Sequence, residues 1–172
     1  MPNWVTNIVV AEPHVLDTLR SEDQVVDFDT LIPIPDDDDP IFTAERSEVG
    51  NYVCWGFDGY SPQDWAREYW GTKWNACRPE RKHPNQVNFQ TPWSYPQGVL
   101  EALFARFPDE DIAWIYADED SFGGNHGYII RVNGRTTKSH GIANPDFAQV
   151  IDLGHIPYTL QYEEEFEELF YF

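Results

Sequence analysis

Residues 70–74 combine two aromatic side chains with one cation, a pattern suited to recognition. The members of the motif are Trp70, Gly71, Thr72, Lys73 and Trp74. An ammonium group over an indole face is stabilised by about 0.5–2 kcal/mol, so one interpretation is a functional pocket in which the two indoles hold Lys73. The second interpretation, which we favour, is structural: both tryptophans pack against a sheet, while Lys73 extends to solvent or pairs with an acid such as Glu119.

Two triplets of acidic residues carry the oxygen ligands that a divalent cation needs. Asp118–Asp120 follow a predicted strand, and Asp109–Asp111 lie in a predicted turn. Clustered carboxylates bind Mg²⁺ or Ca²⁺, so a metal-assisted enzyme at Asp118–Asp120 is one hypothesis. Neither triplet has the ligand spacing of a calcium loop, and a solvated acidic rim is the favoured interpretation of both.

The cysteines and histidines do not have the spacing of a metal or catalytic site. Cys77 and His83 are six positions apart, and no second pair completes a zinc site. The cations around Cys77 predict a lowered pKa for its thiol, but no general base or oxyanion motif accompanies it. We therefore predict no catalytic residue, no metal ligand and no cofactor, and we expect that the protein is not an enzyme.

The net charge is the strongest signal in the sequence. Eleven Lys and Arg residues oppose thirty Asp and Glu residues, which gives −19. Phosphate backbones and anionic membrane surfaces repel such a chain, because both attract proteins through cationic contacts. We expect a basic host protein as the partner, such as a nuclease or another nucleic-acid-binding defence component, with no direct nucleic acid and no membrane. Solubility alone is the simpler explanation of the charge.

Four acidic runs are predicted to bind this basic partner. They consist of Asp36, Asp37, Asp38, Asp39, Asp109, Glu110, Asp111, Asp118, Glu119, Asp120, Glu163, Glu164, Glu167 and Glu168. The leading hypothesis is that these runs imitate the charge density of duplex DNA, which carries one charge per about 1.7 Å of its axis. The protein is then an anti-defence inhibitor or DNA mimic that occupies a basic groove.

A cluster of positive charge gives an alternative function. Five of the eleven cations lie between positions 67 and 82: Arg67, Lys73, Arg78, Arg81 and Lys82. Together with Trp74 and His83, this Arg67–Lys82 patch has the composition of a small nucleic-acid site. The alternative hypothesis is therefore a nucleic-acid-binding accessory protein, although pairing of these cations with acids of the same chain is the favoured interpretation.

Alternating or β-branched residues predict strands at 4–10, 24–28, 86–91 and 112–117. Helices are predicted at 13–21, 60–70 and 96–107, and Ser61 followed by Pro62 marks one helix start. Residues 71–85 are predicted to form a loop. A hairpin around Asn133–Gly134 and an amphipathic helix over 160–171 follow.

This order predicts an α+β protein: a ferredoxin-like βαββαβ antiparallel sheet with helices on one face. A long insertion, about residues 31–85, is expected after the second strand. Residues 1–140 are predicted to form this domain, and residues 141–172 an acidic C-terminal extension packed on or beside it. The start of the chain has no leader pattern, and no apolar run approaches the roughly 20 residues that span a bilayer. We expect a cytoplasmic protein with reduced Cys54 and Cys77.

Five blocks of the sequence carry a resemblance to a known family. They are Met1–Trp4 with Asn7, Phe28–Asp29 with Leu31–Pro35, Trp70–Ala76, Phe89–Ser94 and Tyr116–Gly123. In this order they resemble the Api-like (YubB-type) phage and plasmid proteins, over about residues 1–133. The resemblance implies a ferredoxin-like fold and an origin on a mobile genetic element, and it brings no catalytic residues. Asp36–Asp39 and the acidic terminal segment look particular to this chain.

Overall fold

The computed structural model describes residues 2–119 and 126–140. In these ranges the strands are β1 (Trp4–Ala11), β2 (Arg46–Val49), β3 (Tyr52–Trp55), β4 (Cys77–His83), β5 (Gln86–Pro92), β6 (Ile112–Asp118), β7 (His126–Val132) and β8 (Arg135–His140). The helices are α1 (Pro13–Leu16), α2 (Pro62–Tyr69) and α3 (Gln97–Arg106). The predicted terminal helix and the extension over 141–172 lie outside the described residues.

Six strands form one sheet in the order β4-β5-β1-β6-β7-β8, and all neighbours are antiparallel. The first four strands of this order, together with α2 and α3, have the connectivity of the split βαβ arrangement. β2 and β3 form a separate two-stranded sheet. The predicted α+β, ferredoxin-like fold class is confirmed, with β7 and β8 as the added hairpin.

The prediction of a strand over 24–28 is wrong. Residues Phe28–Thr30 form a 3₁₀ turn, in which the Asp27 side chain accepts a hydrogen bond from the Asp29 amide. Phe28 is buried in the core from this turn, so its apolar side chain reflects an anchored loop rather than a strand. The second strand of the βαββαβ unit is instead β4, within the segment predicted to be a loop. The long insertion therefore precedes the second strand.

The main core lies between the sheet and the helices. Val9 of β1, Phe89 of β5 and Trp114 of β6 point to this face and are at most 1% exposed. Trp65 of α2 and Leu103 of α3 belong to the same buried cluster, so both helices cover one face of the sheet. A smaller cluster lies on the opposite face, where Ile8, Val10, Ala113, Ile115, Ala117 and Ile130 are also buried.

One buried cation joins the added hairpin to α3. Arg131 of β7 donates hydrogen bonds to the carbonyl oxygens of Phe104, Phe107 and Glu110, at and just beyond the last turn of α3. Its guanidinium also lies 4.8 Å from the centre of the Phe104 ring. The last carbonyls of a helix lack intrahelical donors and carry partial negative charge. Arg131 therefore stabilises this helix end and is not part of an exposed cationic surface.

The start of α2 at Ser61 is confirmed and has a complete capping box. The Ser61 hydroxyl accepts from the Asp64 amide, and the Asp64 carboxylate accepts from the Ser61 amide. The hydrogen bonds from Ser61 lower the pKa of Asp64 below its ordinary value of 3.8. Such caps typically contribute about 1 kcal/mol to stability.

We expect the substitution Ser61→Ala to lower the free energy of unfolding by about 1 kcal/mol at pH 7. Because the folded-state pKa of Asp64 is depressed, its contribution is complete above the ordinary pKa and is lost as the pH falls through the folded value. The difference between the two proteins should therefore shrink at pH 3, as measured by urea unfolding. Ser47→Ala, at an exposed position of β2, is the control; an equal loss in both variants would contradict the capping role.

Candidate functional site: a tryptophan cluster at one end of the sheet

Three tryptophans from distant parts of the sequence meet at one end of the sheet. Trp4 begins β1, Trp93 directly follows β5, and Trp74 precedes β4. The register brings them together, because Trp4 lies opposite Pro92 and Cys77 opposite Gln90. The ring centres of Trp4 and Trp74 are 6.2 Å apart, and those of Trp74 and Trp93 are 5.8 Å apart. We call Trp4, Trp74 and Trp93 the tryptophan cluster.

Two cations lie on the faces of this cluster. The Lys73 Nζ is 5.4 Å from the ring centre of Trp74 and 5.8 Å from that of Trp93. The Arg78 guanidinium is 5.7 Å from the Trp4 ring centre and donates a 3.0 Å hydrogen bond to the side-chain oxygen of Gln90. These distances fall within the roughly 6 Å range of cation–π attraction. Trp93 remains 49% exposed, so the cluster is accessible from solvent.

Two residues of the site have strained backbone conformations. Arg78 has a φ of 51° and Trp93 a φ of 63°, in a left-handed region that side chains with a Cβ rarely occupy. The Trp93 amide donates to the Asn3 carbonyl at 2.8 Å, which ties this turn to the start of β1. Strained residues of this kind cluster at functional sites, where the surrounding structure holds them in place. The two strained residues mark the cluster as the candidate site.

The loops that carry the cluster are fixed by hydrogen bonds from three hydroxyl groups. Thr72, 1% exposed, donates to the Pro92 carbonyl at 3.2 Å. Ser94 donates to the Gly71 carbonyl at 2.6 Å, and Thr91 donates to the Ser94 carbonyl at 2.7 Å. The loop before β4 and the turn after β5 are thereby joined. Lys73 and Trp93 are held on these two loops, so their contact depends on this network.

A buried polar network within the sheet supports the turn after β5. Asn7 is fully buried; its amide nitrogen donates to Thr91 Oγ1 at 2.9 Å, and its oxygen accepts from the Trp114 indole at 3.1 Å. A buried polar group is stable only when its hydrogen bonds are made. Asn7 therefore connects the core of β6 to the end of β5, from which Trp93 projects.

The Trp70–Trp74 motif divides between the core and the site. Trp70 is buried, and its indole donates to the Ile32 carbonyl at 2.9 Å. Trp74 instead faces Lys73 at the surface. Lys73 is thus held by two indoles, but Trp93 takes the place that the pocket interpretation gave to Trp70. The sequence gives no local sign of this, because the contact depends on the pairing of β4 with β5.

The comparisons with known proteins bear on this site. A family model described as the ferredoxin-like domain in Api92-like protein matches residues 69–170, more than half of the chain. The chain belongs to this family. No curated protein and no solved structure matches the chain.

The matched region of the Api92-like family contains most of the site. It includes Lys73, Trp74, Arg78 and Trp93, whereas Trp4 precedes its first residue. It also continues through residues 141–170, so it covers the predicted C-terminal extension. The resemblance predicted from the five blocks is confirmed, and the match reaches further toward the C-terminus than those blocks do.

The described acidic runs lie at different places in this family's fold. Asp109–Asp111 precede β6, and Asp118 and Glu119 end it, which separates the two groups by about 20 Å along the strand. Asp36–Asp39 lie in the insertion, where Asp36, Asp37 and Asp38 are exposed. Asp120, Glu163, Glu164, Glu167 and Glu168 lie outside the described residues.

Several of these acids also have structural contacts. The Glu119 carboxylate accepts a 3.0 Å hydrogen bond from the Trp4 amide, and Asp111 accepts one of 2.8 Å from the Asn133 amide. Glu110 lies 3.1 Å from the ring of His14, and Asp39 accepts from the Ile41 amide. These carboxylates stabilise local turns as well as adding to the negative surface.

The Arg67–Lys82 patch is largely paired with acids of the same chain. Arg67 lies 2.9 Å from Asp64, Arg81 lies 3.3 Å from Asp17, and Lys82 lies 2.7 Å from Glu80. Lys73 and Arg78 are the members that lie on the tryptophans. The patch is therefore divided between surface ion pairs and the tryptophan cluster rather than forming one continuous cationic surface.

The prediction that the pKa of the Cys77 thiol is lowered is wrong. Burial raises the pKa of the Cys77 thiol, and this outweighs the opposing influence of Arg78. Cys54 and Cys77 are both free thiols. Within residues 2–119 and 126–140, no three His, Cys, Asp or Glu side chains gather as metal ligands. No helix in the same ranges is long and apolar enough to cross a bilayer.

Proposed function

We propose that the protein is an acidic protein-binding module of a mobile genetic element. Its partner is a basic, nucleic-acid-binding protein of the host, and binding inhibits a host defence activity, as a DNA mimic does. The resemblance to phage and plasmid proteins supports the mobile-element origin. The charge of −19 supports a basic partner, because opposite charge speeds encounter and excludes other partners.

The observation that carries this proposal is how the Lys and Arg side chains are paired within the chain. Arg46, Arg67, Arg81 and Lys82 are paired with acids of the chain, and Arg131 is buried against carbonyl oxygens. Six of the eleven Lys and Arg residues remain, whereas no Asp or Glu within residues 2–119 and 126–140 is buried. The surplus negative charge therefore faces solvent, where it repels nucleic acid and attracts a basic groove.

The exposed acids free of the structural contacts above are the most informative to change. We expect simultaneous Asp36, Asp37, Asp38 and Asp109→Lys substitutions to abolish binding of the partner, since they change the net charge by eight. The fold should survive, because exposed ion pairs such as Asp37 with Arg46, 3.7 Å apart, contribute only about 0–1 kcal/mol. The melting temperature of the variant checks this assumption.

Capture from nuclease-treated host lysate, with tagged wild-type protein and the fourfold variant side by side, tests the proposal. The expected result is a basic nucleic-acid-binding protein that the wild-type protein retains and the variant loses. Retention should also weaken as salt rises, since exposed charges are screened over about 10 Å at 0.1 M. Equal capture by both proteins, or capture that requires nucleic acid, would overturn it.

A further inference from the structure

We propose that the tryptophan cluster is the receptor for a Lys or Arg side chain of the partner, and that Lys73 is a placeholder which this side chain displaces. The inference rests on the proposed function, because it takes the partner to be basic. It adds a defined aromatic site to what would otherwise be a general attraction between charges.

The geometry of Lys73 shows what the indoles can hold. Its Nζ lies against Trp74 and Trp93 at 5.4 and 5.8 Å, so this corner already accommodates an ammonium group. Lys73 reaches the corner from the neighbouring position in the chain on a flexible stem with several rotatable bonds. A cation from a partner can make the same contact with Trp93, which is 49% exposed.

One carboxylate accompanies the two cations, Lys73 and Arg78, that lie on the cluster. Glu119 is exposed and lies beside the cluster, since its backbone amide donates to the Trp4 carbonyl and its carboxylate accepts from the Trp4 amide. An arriving guanidinium that displaces Lys73 would meet the indoles of Trp74 and Trp93, with the Glu119 carboxylate on the β6 side of Trp4. That combination is how proteins hold arginine and lysine side chains at interfaces.

The backbone of the site is arranged before any partner arrives. Trp93 keeps its strained φ through the hydrogen bond to Asn3 and the turn that Thr91 and Ser94 close. An aromatic anchor held in one conformation loses little entropy when it binds, which is why tryptophans dominate interface hot spots. The cluster is therefore suited to slow dissociation, while the surrounding acids speed association.

The alternative ligand for this cluster is an anionic aromatic molecule such as a nucleotide. Its base would stack on the indoles and its phosphate would bind Lys73. A cationic partner side chain and an anionic ligand predict opposite effects of removing Lys73. Loss of this cation weakens an anion site, but it frees the indoles for a partner cation. The net charge of −19 favours the second outcome.

A labelled nona-arginine peptide is the probe, and its affinity is measured by fluorescence anisotropy at 0.15 M salt. We expect Lys73→Gln to bind the peptide about two- to fivefold more tightly than the wild-type protein, the range of an exposed cation–π contact. Lys138→Gln, on the exposed edge strand β8, makes the same charge change away from the cluster and should give a smaller gain. Trp93→Ala changes no charge and should weaken binding about two- to fivefold.

The inference is overturned if Lys73→Gln binds no more tightly than Lys138→Gln, or if Trp93→Ala binds as the wild type does. It is equally overturned if a labelled single-stranded oligonucleotide binds the wild type and is lost in Lys73→Gln. The Asp36, Asp37, Asp38 and Asp109→Lys variant separates this failure from that of the proposed function. If this variant loses the peptide while Lys73→Gln and Trp93→Ala both bind as the wild type does, only the receptor site is wrong. Melting temperatures of all variants verify folding.

Discussion

Gly98→Ala is expected to reduce the free energy of unfolding by about 3 kcal/mol, near the upper end of the usual overpacking cost. Gly98 lies in the first turn of α3 and donates a 3.1 Å hydrogen bond to the Trp70 carbonyl at the end of α2. An added Cβ would overlap the carbonyl oxygen of Tyr69, which is backbone and cannot rotate away. The two helices would have to separate, and their shared core would open.

Urea unfolding of Gly98→Ala beside Gly56→Ala measures this effect. Gly56 has no positive φ, and an added Cβ there would make contacts of 3.4 Å or more, so its substitution should change stability by less than about 0.5 kcal/mol. A similar small effect at Gly98 would mean that α2 and α3 do not approach as closely as described.

Asn7→Ala is expected to cost about 3 kcal/mol, because it removes buried hydrogen bonds and leaves a cavity. The Trp114 indole would lose its acceptor, and Thr91 would lose a donor. Since Thr91 also closes the turn before Trp93, the tryptophan cluster should loosen along with the core. Near-ultraviolet circular dichroism, which reports tryptophan environments, should change together with the unfolding free energy.

Asn3→Ala is the matched control for Asn7→Ala. Asn3 is exposed, and its contact with Trp93 uses the backbone carbonyl, which alanine keeps. Its substitution should therefore leave both the spectrum and the stability almost unchanged. If Asn7→Ala is as mild as Asn3→Ala, the buried network does not support the site.

Local signals in the sequence predicted much of the fold. The alternating and β-branched residues of β1 and β5 mark strands because buried side chains recur along both, and Asn133–Gly134 mark a hairpin because both adopt positive φ. Strand β4 was not predicted, because neither of its faces is fully buried. Its residues at 78, 80 and 82 are exposed and the intervening ones are only half-buried, so charged side chains occupy both faces of this edge strand. Its place is set by pairing with β5, which no local pattern encodes.

The candidate site was only half predictable for a related reason. Lys73 and Trp74 are adjacent in sequence, so their contact is a local pattern. Trp4 and Trp93 join them through the pairing of β5 with β1 and with β4, and through the strained backbone of Arg78 and Trp93. The acidic runs, by contrast, are visible in the sequence, but the positions of Asp109–Asp111 and of Asp118–Glu119 at opposite ends of β6 follow from strand direction.

Displacement of DNA from the captured partner tests the central claim most directly. The purified partner is loaded with labelled duplex DNA, the acidic protein is titrated, and fluorescence anisotropy reports the bound DNA. The account predicts that the wild-type protein releases the DNA completely and that the Asp36, Asp37, Asp38 and Asp109→Lys variant releases almost none. A stable ternary complex, with the DNA still bound at saturating wild-type protein, would contradict it.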